Sequence, residues 1–210
     1  MASDETNTGY WQKLIHEKFG ATLINIGVGG TTVFNNGASS TQNGYNLTDS
    51  WMCSQERTNM IPQDADIVLF WGGHNDWANN CPIGSVGQVT PDDTTFMGAM
   101  QIALTKIIAR VPNAQIIFVT PHVSRPQNNE NSNVIAKNTL NLTMADYSSA
   151  VREFCAYYGF PYIDMSDSGI SVLNHTKYCS DVIHVNQTYG ADAVANTIVN
   201  GLMRFKPISF

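Results

Sequence analysis

His184 stands three residues after Asp181 in 181-DVIHVN-186. At that spacing a carboxylate can sit beside an imidazole on one turn of chain, hold its tautomer and stabilise its protonated form. The plainer account of the same residues is a capping Asp and an incidental surface His. A second cluster, 73-GHND-76, follows the apolar run 66-DIVLFW-71 and Gly72. The Asn75 amide can donate a hydrogen bond to negative charge developing on an oxygen. Asp76 can fix its own loop by accepting backbone hydrogen bonds, and a polar Asx-type turn is the competing account. His74 and Trp77 flank the pair, and with Asp76 they are the candidate substrate contacts. A third stretch, 25-NIGVGGTT-32, places glycines at 27, 29 and 30 directly after an apolar run, where the backbone can turn sharply and present its N–H groups. A phosphate loop is the rival there. It fails for want of G-x-G-x-x-G, of Gly-Lys-Ser/Thr and of an acidic ribose partner on the next strand.

Four short apolar runs, 22-TLINI-26, 66-DIVLFW-71, 115-QIIFVT-120 and 161-PYIDM-165, read as strands buried on both faces, because they do not alternate. Helical patterns lie between and around them. The first is 9–20, with Trp11, Leu14, Ile15 and Phe19 on one face and Gly20 as its stop. The second is about 93–111, which Asp93 or Thr94 can cap and Pro112 follows. Two more run over about 143–159 and about 188–205. Helices alternating with buried strands imply an α/β fold with a parallel sheet and right-handed crossovers. The long polar stretches 31–60 and 121–142 both follow strands, on the edge where open α/β sheets carry their sites.

The 210 residues suit a single domain with a sizeable core, and 43% are hydrophobic. A net charge of -6 without any Lys/Arg cluster argues against nucleic acid or an anionic membrane as partner. The opening residues, MASDETNTGY, lack the apolar core of a signal peptide. None of Cys53, Cys81, Cys155 and Cys179 forms a C-x-x-C pair, so free thiols are expected, with Cys53–Cys81 as the bridge if one exists. A metal reading of His74, Asp76, Asp181 and His184 lacks H-E-x-x-H or His-x-His spacing, so neither a metal nor another cofactor is expected.

The three clusters, in this order, resemble the SGNH/GDSL hydrolases, a superfamily of esterases and lipases. N-x-G-x-x-G is matched by Asn25, Gly27 and Gly30, G-x-N-D by Gly73, Asn75 and Asp76, and D-x-x-H by Asp181 and His184. The tail 184-HVNQTYGADAVANTI-198 also looks like the family's closing helix. The resemblance implies a flavodoxin-like three-layer α/β/α sandwich and a serine mechanism acting on small acyl esters. His184 would then be the base, Asp181 its orienting carboxylate, and the Gly30 N–H and Asn75 side chain two donors of the oxyanion hole. Acetyl esters on carbohydrate are one substrate class, since Trp51 and Trp77 can stack on sugar rings if exposed.

The family's nucleophile block, G-D-S after a first strand, is absent from residues 1–210. Ser3 has no strand ahead of it, and no motif supports Ser39, Ser40 or Ser180. The expectation is an N-terminally incomplete domain lacking that first strand, for example through a start placed too late at Met1. A strand supplied by another chain, and a pseudo-enzyme that binds carbohydrate without cleaving it, are the alternatives. His16 is expected at the surface, and His122 and His175 in loops that can reach a substrate.

Overall fold

The computed structural model describes residues 10–122, 126, 133–181 and 183–205, without the side chains of Tyr10, Trp11, Gln12, Leu14 and Asn43. Its elements run α1 (Tyr10–Phe19), α2 (Gln55–Asn59), β1 (Ile67–Trp71), α3 (His74–Ala78), α4 (Phe96–Arg110), β2 (Gln115–Val119), α5 (Met144–Tyr158), β3 (Tyr162–Ile163), α6 (His175–Tyr178) and α7 (Gly190–Arg204). The sheet order is β1-β2-β3. β1 and β2 are parallel, in register from Ile67 opposite Gln115 to Trp71 opposite Val119. The α/β class with a parallel sheet is therefore as the sequence implies.

The described residues fall into two compact units. One comprises Ile26–Pro121 and Lys137–Tyr162. Its core is aromatic: Phe118 sits between Phe70 and Phe154, at ring-centroid distances of 5.2 and 5.3 Å. Phe96 meets Tyr147 edge to face at 5.2 Å. Met97, Met100, Ile117 and Met144 fill the remaining space and are fully buried, each such side chain contributing about 1.5–3 kcal/mol. α4 begins where the Thr95 hydroxyl accepts the Gly98 N–H, one residue after Thr94 and two after Asp93, the expected caps. α5 begins where Asp146 Oδ2 accepts both the N–H and the hydroxyl of Thr143, and it ends on Gly159 in the left-handed region.

The other unit comprises Met1–Asn25, His122–Ala136 and Ile163–Phe210. There α7 packs against α1, α6 and a 3-10 turn over Met165–Ser168. Ile15 of α1, Ile163, Met165, Ile170, Val194 and Ile198 form the apolar centre. The side chains of Trp11 and Leu14, placed on the same face from sequence, lie outside the described residues.

Two strand expectations are corrected. Residues 22–26 make no sheet ladder among the described residues, and Ile24 is 49% exposed. The Ile26 carbonyl is taken by the Arg57 guanidinium, an acceptor position a ladder would have used. β3 stops at Ile163 because Asp164 turns the chain, its Oδ1 accepting the Ser166 N–H.

Candidate active site

β1 delivers the chain to two glycines whose roles differ. A Cβ on Gly72 would stand 2.4 Å from Val33 Cγ2, so only glycine lets the loop after residue 30 pass the strand end. Gly73 has φ +121°, which other residues rarely adopt, and it starts α3 rather than an Asx-type turn. The Trp77 N–H donates to Gly73 O at 2.9 Å, closing the first helical turn.

That turn aims two side chains at one loop. Asp76 is fully buried, and its Oδ1 accepts the Val33 and Phe34 N–H groups at 2.9 and 3.1 Å. The Asn75 Nδ2 donates to Thr31 O at 2.9 Å, one residue beyond Gly30. An amide nitrogen carries two N–H groups, so one remains for another acceptor. Gly30 is exposed, and its N–H has no acceptor among the described residues. Gly30 and Asn75 are thus neighbouring donors on a loop fixed by a buried carboxylate.

Burial pushes Asp76 up to about 7, against the pull of the Phe34 and Val33 N–H groups. A raised carboxyl takes up a proton on folding, so its contribution to stability is full below the unfolded value near 3.8 and is lost as pH rises to about 7. Asp76→Asn keeps an oxygen for the two N–H groups and removes the charge. Its unfolding free energy relative to wild type is expected to rise by a few kcal/mol between pH 4 and 7, since each pK unit is worth about 1.4 kcal/mol. Urea denaturation of both proteins across that range checks this, and a pH-independent difference contradicts it.

Two of the expected substrate contacts are buried side chains. Asp76, with no exposed surface, holds the loop instead. Trp77 is 8% exposed, its Nε1–H donates to Leu142 O at 2.8 Å, and its carbonyl accepts from Asn138 Nδ2. It anchors the 138–142 turn, and its ring is packed away from solvent. His74 opens α3 half-buried, and Trp51 is also half-buried.

In the other unit, Asp181 and His184 meet as the spacing implies. His184 Nδ1 lies 2.6 Å from Asp181 Oδ2, while Asp181 Oδ1 accepts the backbone N–H groups of Ile183 and His184 at 2.8 and 2.7 Å. The small burial cost, which would raise Asp181, is outweighed by those two N–H groups and the imidazole, and the carboxyl falls to about 2. Asp181 is therefore ionised throughout the neutral range, and Nδ1 is the donor nitrogen. Nε2 is left as the basic nitrogen and has no hydrogen bond among the described residues, on a side chain 74% exposed.

Two residues that support this pair were not singled out for that role from sequence. His122, expected as a substrate contact, is 4% exposed, and its Nε2–H donates to Ile183 O at 2.9 Å. Burial pulls it down to about 4, with the Ile183 carbonyl opposing, so it stays neutral beside His184. Asn186 Oδ1 accepts the Thr188, Tyr189 and Gly190 N–H groups, and its Nδ2 donates to Lys177 O. An Asn just ahead of a helical pattern is the sequence signal that could have found it. His175 is likewise buried, at 5% exposed, with Nδ1–H donating to Val172 O. His16 is exposed, as expected.

No described serine is hydrogen-bonded to the His184 ring. Ser180 is exposed, and its hydroxyl donates to the His184 backbone carbonyl at 3.1 Å. Ser40 Oγ accepts the Gln42 N–H within its own turn, and Ser3 lies outside the described residues. The four cysteines are buried and form no disulfide among the described residues. Burial pushes Cys53 and Cys155 up to about 12 and raises Cys81 as well, which keeps these thiols protonated and unreactive.

Comparison with known proteins bears on the fold and the family. A search of curated proteins finds no match. Among solved structures, a Lactobacillus plantarum protein is 24% identical with a TM-score of 0.76, over 97% of this chain and 92% of that one. A Bacteroides ovatus protein described as a GDSL-like lipase is 21% identical with a TM-score of 0.63, over 97% and 83%. An acetyl xylan esterase is 17% identical with a TM-score of 0.57, over 91% and 90%. At these identities the likeness is one of fold. The profile of the GDSL-like lipase/acylhydrolase family matches residues 2–188, and the chain belongs to that family.

Proposed function

We propose that this hydrolase acts on small acyl esters by a serine mechanism, with acetyl esters of carbohydrate as the substrate class. The observation that carries the reading is the Asp181–His184 pair, which commits Nδ1 as a donor and leaves Nε2 basic. In the proposed reaction His184 Nε2 takes the proton of a serine hydroxyl as it attacks the ester carbonyl, then returns it to the departing alcohol. Asp181 stabilises the imidazolium between those steps. The Gly30 N–H and the second Asn75 N–H receive the negative charge that develops on the carbonyl oxygen. The substrate class draws on the fold shared with an acetyl xylan esterase. The nucleophile is the one role that no described side chain fills.

Intact-mass analysis of the full-length protein after incubation with a fluorophosphonate, which marks activated serines, tests this directly. One adduct per chain is expected, and peptide mapping then names the serine. A folded protein that takes up no adduct overturns the serine mechanism and leaves the second reading, a relative that binds carbohydrate without cleaving it.

A further inference from the structure

Arg57 is 7% exposed on the five-residue helix α2, which Ser54 opens by accepting the Arg57 N–H. Its guanidinium donates through Nη1 to Thr31 Oγ1 and Ser50 O, both at 3.1 Å, and through Nη2 to Ile26 O at 3.0 Å. Nε is buried with no hydrogen-bond partner, and no carboxylate pairs with the charge, among the described residues. Burying a cation without an anion is unfavourable, and an apolar side chain of similar length would fill the same space at less cost. The placement of its donors accounts for the charge being there. Two of the three acceptors bracket one segment, the Ile26 carbonyl at its start and the Thr31 hydroxyl at its end.

Between those points lie Gly27, Gly29 and Gly30, residues that lose the most conformational freedom on being ordered. Thr31 is held from both sides, its hydroxyl by Arg57 and its carbonyl by Asn75. The Thr31 hydroxyl passes the constraint back by donating to Val28 O at 2.8 Å. The Gly30 N–H therefore sits inside a loop whose ends are clamped by one planar, rigid cation. A lysine offers three donors from a single point and cannot span both ends in the same way. We propose that Arg57 is a positioning residue that fixes the 26–31 loop, so that the Gly30 N–H is aimed before substrate arrives, and that its unneutralised charge favours an anionic oxygen at that loop. The inference rests on the proposed ester hydrolysis for its catalytic meaning. The ordering of the loop stands apart from it.

Two measurements on the full-length protein separate these layers. Amide hydrogen exchange is compared for residues 27–34 and for α5 in wild type, Arg57→Ala and Arg57→Lys. Turnover of p-nitrophenyl acetate is measured on the same samples, with and without millimolar guanidinium. Loop exchange is expected to quicken at least about tenfold in Arg57→Ala while α5 is unchanged, as local opening requires. The kcat is expected to fall about 10–100-fold with KM nearly constant, short of the 10²–10³ seen when an oxyanion donor itself is removed. Guanidinium should restore part of that loss, and Arg57→Lys should fall between. Unchanged loop exchange overturns the proposal, and so does a loosened loop with kcat intact. If wild type hydrolyses no ester, the proposed function fails, and the exchange comparison alone decides whether Arg57 orders the loop. If Arg57→Ala does not fold, the lysine variant carries both readings.

Discussion

His184→Ala is expected to lower ester turnover by about 10⁴-fold or more, the scale found when the base of a serine mechanism is removed. The loss should fall on kcat. The proton transfer that His184 performs belongs to the transition state, not to the bound ground state. Fluorophosphonate labelling should slow in parallel, because the same proton transfer activates the serine towards phosphorus. Asp181→Asn separates orientation from charge. The amide can still accept the Ile183 and His184 N–H groups through Oδ1, so the loop survives. Its Nδ2 would then face Nδ1 as a donor, which favours the tautomer with the proton on Nε2 and removes the basic nitrogen. Turnover should fall by a factor approaching that of His184→Ala, while thermal stability is nearly unchanged. Binding of an uncleaved carbohydrate ester that survives both substitutions, with turnover absent from wild type as well, would instead fit the binding-only reading.

The separation between legible and illegible features follows the range of the interactions. The helices α4, α5 and α7 were visible because each is fifteen residues long, enough for an apolar period to repeat, with a glycine or proline near one end and, in α4 and α5, a threonine cap. β1 and β2 were visible as short runs rich in Ile, Val and Phe. The helices α2, α3 and α6 span four or five residues and show no period, so 73-GHND-76 read as a turn. The run 22–26 has a strand's composition, but a strand needs a neighbour, and composition does not carry that information. At the site, Asp181 and His184 were legible because both partners lie within one turn of chain. Asp76 was correctly read as a backbone acceptor, and its burial argued against the substrate contact also expected of it. Arg57 was invisible, since its acceptors in the loop lie 26 and 31 residues away and two of its three are main-chain carbonyls.

Asn75→Ala is the second large effect, an expected fall of about 10²–10³-fold in kcat with KM changed little, as when one oxyanion donor is lost. Two contributions are folded into that figure. The side chain supplies the N–H left over after Nδ2 has bonded Thr31 O, and it also holds Thr31, hence the neighbouring Gly30 N–H, in place. Asn75→Asp distinguishes them from simple loss of volume. A carboxylate of the same shape offers no donor to either acceptor, and it brings a negative charge next to the Thr31 carbonyl and the fully buried Asp76. Asp76 would then resist ionising more strongly still, and the developing oxyanion would meet repulsion where it had met a dipole. Turnover in Asn75→Asp should therefore lie below that in Asn75→Ala, although the alanine removes more atoms. The ordering is the diagnostic result. If the aspartate variant were the more active of the two, Asn75 would be acting as a packing element of the α3 turn. The negative charge of the transition state would then have to be received elsewhere, the Gly30 N–H being one donor left on this loop.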